Sequence, residues 1–149
     1  MAFMDSMNIV ASGLTAQQLR LDVISENITN SSTTRTENGG AYRRKMVVFQ
    51  AETNAETFQQ AMQRVAAGEH YDVKGGVKVV EIAEDPSDMK LVYDPTHPDA
   101  NEEGYVEYPN VDTVKEVADA MAATQAYSAN VTAFNALKAV AAKAMEIGR

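Results

Sequence analysis

From Phe3 to Ile28 the chain returns to one helical face in alternating steps of four and three: Phe3, Met7, Val10, Leu14, Gln17, Leu21, Ile24, Ile28. Seven of these eight residues are apolar. A seam of that period fits one face of an amphipathic helix and excludes a strand, whose side chains change face at every residue. Gly13 lies inside the segment and costs about 1 kcal/mol relative to alanine, too little to interrupt the pattern. The seam ends at Ser31, where SSTTRTENGG has the composition of a polar loop.

The far end of the chain predicts a second, longer helix. Thr113 with Glu116 has the spacing of a capping box, and no proline or glycine occurs from there to about Ile147. Twelve alanines lie between Ala118 and Ala144, interleaved with Met121, Tyr127, Val131, Phe134, Leu137 and Val140. The apolar pattern starts in heptad phase at Val114, Val117, Met121 and Thr124 and then drifts, so this helix requires neighbours on more than one side. Acids at its start and Lys138 and Lys143 near its end complement the helix dipole. At about 1.5 Å per residue it spans roughly 50 Å, long for a compact domain of this size.

Between the helices the pattern turns β-rich. YRRKMVVF (42–49) and GVKVVEI (76–82) each follow a Gly-Gly pair, and KLVY and GYVEY are two shorter strand candidates. Residues 55–67 place Phe58, Met62, Val65 and Ala66 at helical spacing and predict a short helix. The prolines of DPSD, DPTHPDANEEG and YPN mark turns. The expected fold is mainly α with a small β-rich middle: residues 1–31 and 110–149 form a helical unit paired as a coiled coil, and residues 32–109 a separate element.

Charge and composition exclude several functions. The net charge is -8, and residues 81–119 alone carry twelve acids against Lys90 and Lys115, which argues against nucleic acid or an anionic membrane as partner. There is no cysteine, hence no disulfide, thiolate metal site or cysteine nucleophile. No apolar run reaches the roughly 18 residues of a membrane span, and the start MAFMDSMNIVASG lacks the basic region of a cleaved secretion signal. No Gly-x-Ser-x-Gly elbow or phosphate-binding glycine loop is present, so neither a catalytic residue nor a cofactor is expected. His97, among Asp94, Asp99, Glu102 and Glu103, fits no metal-loop spacing and is read as part of a solvated acidic loop, and His70 as a surface residue. Arg43, Arg44 and Lys45 form the one basic cluster, most simply an exposed strand edge, or else a contact to an acidic stretch such as 81–119 of another copy.

ENITNSSTT (26–34) raises a separate question. Asn27, Asn30 and Asn130 all stand in Asn-x-Ser/Thr sequences, but Asn27 and Asn130 fall inside predicted helices, where glycosylation does not fit. Asn30 suits a left-handed residue closing a helix. Asn27, beside Ile28 on the seam, is better read as a polar contact to the C-terminal helix or to a neighbouring subunit.

NITNSST together with AYSAN at 126–130 resembles the paired terminal motifs of the bacterial flagellar rod and hook axial proteins, and SGLTAQQLRLDVISENITN is similar to that family's first helix almost throughout. Asn27, Ile28, Asn30 and Thr33 occupy the first motif and Tyr127 and Asn130 the second; Gln125 departs from the arginine common there, and the 55–67 segment is longer than usual. The resemblance implies a structural subunit exported by the flagellar type III apparatus without a cleaved signal, building a periplasmic rod with its own copies and other rod subunits. It implies an assembly interface at Phe3, Met7, Val10, Leu14, Leu21, Ile24, Asn27, Ile28 and Asn30, and at Val117, Met121, Tyr127, Asn130, Val131, Phe134 and Leu137. The rival reading is a coiled-coil adaptor or export chaperone that binds a partner helix without polymerising.

Overall fold

A computed structural model describes residues 2–37, 39–52 and 75–147 and the single positions 59, 62, 63, 66 and 67. Helix α1 (Ala2–Thr29) is followed by strands β1 (Lys45–Ala51), β2 (Val77–Glu84), β3 (Lys90–Tyr93) and β4 (Tyr105–Tyr108), and the chain closes with helix α2 (Thr113–Ile147). Both terminal helices stand where the periodicity put them. Most of the helix expected at 55–67, including Phe58 and Val65, lies outside the described residues, as does His70; of that segment, Met62 is helical and exposed.

The strands form two separate antiparallel pairs rather than one sheet, β1 with β2 and β3 with β4. Val48 faces Glu81 and Phe49 faces Val79, which leaves Val80 as a bulge that twists the first hairpin. β1 starts three residues later than the 42–49 expectation, because Tyr42, Arg43 and Arg44 are drawn into side-chain contacts instead of the ladder.

The helices run antiparallel. Gly13 meets Asn130, Arg20 meets Asp119, and Asn27 meets Glu116. A Cβ at Gly13 would stand 3.0 Å from the Asn130 amide, so the glycine that weakens α1 as a helix admits α2 at close range. The hairpin approaches α1 from another side: the Val77 N–H donates to the Ser12 hydroxyl, and a Cβ on Gly76, whose φ is 145°, would lie 2.8 Å from that oxygen.

The buried apolar residues are few and gathered at one end: Ala16, Val23 and Ile24 of α1, Tyr42, Val106 of β4, Val111, and Ala123 of α2. They mark the root of the helix pair, where α1 ends and α2 begins. No residue of α1 before Ala16 and none of α2 after Ala123 is fully buried among the described residues.

Candidate assembly site

At the root, apolar packing surrounds a polar clasp. Asn27 is 1% exposed and Glu116 0% exposed, so each of their polar atoms needs a partner. The Asn27 amide donates to the Lys45 carbonyl (2.9 Å) and to Glu116 Oε2 (3.0 Å), and its oxygen accepts from the Lys45 N–H (2.9 Å) and the Tyr42 hydroxyl (2.9 Å). All four hydrogen-bonding positions of that amide are filled. Glu116 Oε1 accepts from Arg44 Nε at 2.7 Å, and the rest of that guanidinium reaches Asp85 at 3.4 Å and Asp119 at 3.6 Å. The Arg44 N–H donates to the Asn110 side chain at 2.8 Å. One cluster thereby joins the end of α1, the start of β1, the end of β2 and the first turns of α2.

Electrostatics follow from that burial. Desolvation, followed by the charges of Glu26, Glu116 and Glu84, pushes the Tyr42 hydroxyl up to about 12, so it remains a donor to Asn27. Burial opposes the charge on Arg44, but the hydrogen bond and charge of Glu116, helped by Asp85, outweigh it and raise its pKa. Asp85 is held below the ordinary carboxylate range, chiefly by hydrogen bonds from the Ser87 N–H and hydroxyl, which outweigh desolvation, with a smaller contribution from Arg44. A carboxylate depressed in the folded chain stabilises it fully above the unfolded value of 3.8 and loses that contribution as the pH falls through the lower folded value. The urea midpoint is therefore expected to fall below about pH 4, and less steeply in Asp85→Asn. Equal acid slopes for the two chains would contradict this assignment.

Several sequence expectations change here. Asn27 does reach the C-terminal helix, through Glu116. Glu116 does not complete a capping box: Asp112 caps α2, its carboxylate accepting from the Val114 N–H at 3.0 Å, and Glu116 is turned inward. Asn30 is not left-handed, since no residue other than glycine has positive φ among those described. It closes α1 by placing its own N–H and its side-chain amide on the Glu26 carbonyl, with Thr33 donating to its oxygen. Arg44 does meet the acidic 81–119 stretch, but within its own chain and not at an exposed edge. His97 accepts the Asp99 N–H in a loop turn, and no metal-holding group occurs among the described residues.

The residues assigned to assembly are distributed over two faces. On α1, Ile24 and Asn27 are buried, while Met7, Val10, Leu14, Leu21, Ile28 and Asn30 are half-buried and Phe3 lies exposed. The contacts to α2 at positions 13, 20 and 27 stand one residue before seam positions 14, 21 and 28, about 100° round the helix, so the seam flanks the α2 contact instead of filling it. On α2, Glu116, Ala123, Tyr127, Asn130, Phe134 and Leu137 share the side turned to α1 and are buried or half-buried. Val114, Val117 and Met121 follow the heptad phase on the far side, with Val114 80% and Met121 70% exposed, and Val131, carried round by the drift, stands at the flank of the α1 face. The drift of the apolar pattern thus records two faces: a mixed polar and apolar face spent on α1 and an apolar row left open.

Two long terminal helices clasped at their root, with apolar rows open along their flanks, define a class of building block completed by neighbours: a subunit of a larger assembly. The comparisons give that class a family. The model for "Flagella basal body rod protein" matches residues 7–35, and that for "Flagellar basal body rod FlgEFG protein C-terminal" matches residues 102–147. The flagellar basal-body rod protein FlgC of Bacillus subtilis is 50% identical over 148 residues, covering 97% of each chain. Its counterparts in Borreliella burgdorferi and Escherichia coli O6:H1 are 41% and 37% identical over 99% and 100% of this chain and 98% and 100% of their own. The chain belongs to the FlgC family of flagellar basal-body rod proteins. It is a structural subunit of the basal-body rod and assembles with other rod components.

Proposed function

We propose that this chain polymerises through its terminal helices, residues 1–31 and 110–149 forming the assembly unit and residues 32–109 an outer element. The open row Val114, Val117 and Met121, continued by Val131 toward the α1 face, carries the reading, because an apolar row of this length on a soluble subunit marks an interaction surface. The α1 seam, with Phe3 exposed and Met7, Val10, Leu14, Leu21 and Ile28 half-buried, supplies a second face. Subunits packing by knobs into holes along such rows form a coiled-coil-like inner tube, and head-to-tail contacts that do not close yield a helical polymer. The outer ends of both helices, which bury no residue fully among those described, complete their burial on incorporation. Export through the flagellar type III apparatus into an axis growing through the periplasm belongs to the same proposal; no helix among the described residues is long and apolar enough to cross a membrane.

The native chain has no cysteine, so a single introduced thiol reports its own surroundings. Met121→Cys is expected to react with a maleimide within minutes in the dilute chain and at least tenfold more slowly in isolated rods. Equal labelling in both states would remove the α2 row from the interface.

A further inference from the structure

The outer face of the second hairpin carries a feature that the helices do not account for. Leu91 and Tyr93 of β3 are each 64% exposed, and Tyr105, opposite Tyr93 in register, is exposed as well. The two tyrosine rings meet edge to face with centroids 5.3 Å apart. This pair is positioned by its surroundings. Gly104, at φ 83°, lets the Tyr93 ring lie against the turn, since a Cβ there would stand 3.0 Å from Tyr93 Cε2. On the reverse side Val106 is 1% exposed and anchors the strand in the root.

The hairpin's own charges on this face are all acidic, and Arg35, which lines a hollow with Tyr105 and Glu107, is paired to Asp99. Residues 91–108 contain five acids and no lysine or arginine. Glu107 lies opposite Leu91, and Glu102 and Glu103 occupy the turn before Tyr105; all three are exposed and none has an ion pair among the described residues. Asp99 is already occupied by Thr34 and Arg35. Lys90, the nearest basic residue in the strand, turns away to donate to the Val111 carbonyl.

We propose that this aromatic face is a docking surface for a basic surface on a different protein, which places lysine or arginine over the Tyr93–Tyr105 pair with the carboxylates around it. An exposed ring pair with an anionic rim attracts a cation by its quadrupole and by charge, and the apolar stem of the same side chain covers Leu91. A second copy of this chain is a poor occupant. It carries a net charge of -8, and Arg20, Arg35, Arg43, Arg44, Lys45, Lys90 and Lys143 are each engaged within their own chain, which leaves Lys78, Lys115 and Lys138 as the unpaired cations among the described residues.

The test is Tyr93→p-benzoylphenylalanine incorporated in cells and photo-crosslinked in intact basal bodies. The expected product joins this chain to a different protein through a peptide that contains lysine or arginine. Adding Glu102→Lys and Glu103→Lys should reduce its yield at least fivefold while the chain remains incorporated. A crosslink to another copy, a crosslink to an acidic or uncharged peptide, an unchanged yield after charge reversal, or no crosslink from an incorporated chain would each overturn the proposal. If the Tyr93 variant fails to incorporate, Leu91→p-benzoylphenylalanine on the same face gives the same reading.

Discussion

Glu116→Gln is expected to destabilise the isolated chain by about 3 kcal/mol, although it removes no volume from the core. Both oxygens of the native carboxylate are acceptors, one for Arg44 Nε at 2.7 Å and the other for the Asn27 amide at 3.0 Å. A glutamine has one oxygen to offer. Turned toward Arg44, it sets its NH₂ against the Asn27 NH₂; turned toward Asn27, it sets that group against the guanidinium. Asn27 cannot resolve the clash by flipping, because its oxygen is already held by Tyr42 and by the Lys45 N–H. The substitution therefore leaves either the Asn27 amide or the Arg44 Nε–H without its acceptor, and in both orientations removes the buried charge that faces Arg44, whose remaining carboxylates, Asp85 and Asp119, lie further off. Urea unfolding followed by circular dichroism measures the loss. A change below about 1 kcal/mol would show that the clasp is slack, as surface ion pairs are.

The clasp also shows what the sequence could and could not reveal. Helix positions were legible because periodicity is local: the α1 seam and the proline-free run from Thr113 needed no tertiary information, and KLVY became β3 as expected. Asn27 was legible as a polar contact because an asparagine beside the seam had no local explanation. Its partner was not, since Thr113 and Glu116 also satisfy a capping box, and only the fold shows that Asp112 takes the cap and frees Glu116 to point inward. Arg44 looked like an edge residue because its three carboxylates lie 41 to 75 residues further along the chain. Asn30 was given a left-handed backbone that it does not adopt, because its side chain does the closing. Coiled-coil pairing was expected from one seam, yet the contacts to α2 run along positions 13, 20 and 27. Spacing identifies an apolar face without naming what covers it.

That distinction decides where assembly should be attacked. Ile24→Asp is a poor probe, because Ile24 is 5% exposed within the chain and a carboxylate there would damage the root before any neighbour was met. Val117→Asp combined with Met121→Asp addresses the open row instead. Both side chains are exposed in the isolated subunit, so its urea midpoint should correspond to a stability within about 0.5 kcal/mol per site of the parent, and the aspartate at 117 lies close enough to the N-terminus of α2 to suit its dipole. In a packed row each carboxylate would lose water without gaining a cation, costing several kcal/mol, and a total near 4 kcal/mol already weakens association about 1000-fold. Cells carrying the double variant are expected to export a folded chain, build no rod from it, and remain non-motile. Motile cells with the variant recovered in their rods would show that this row faces solvent in the assembled rod, and would leave the α1 seam as the surface on which neighbouring subunits meet.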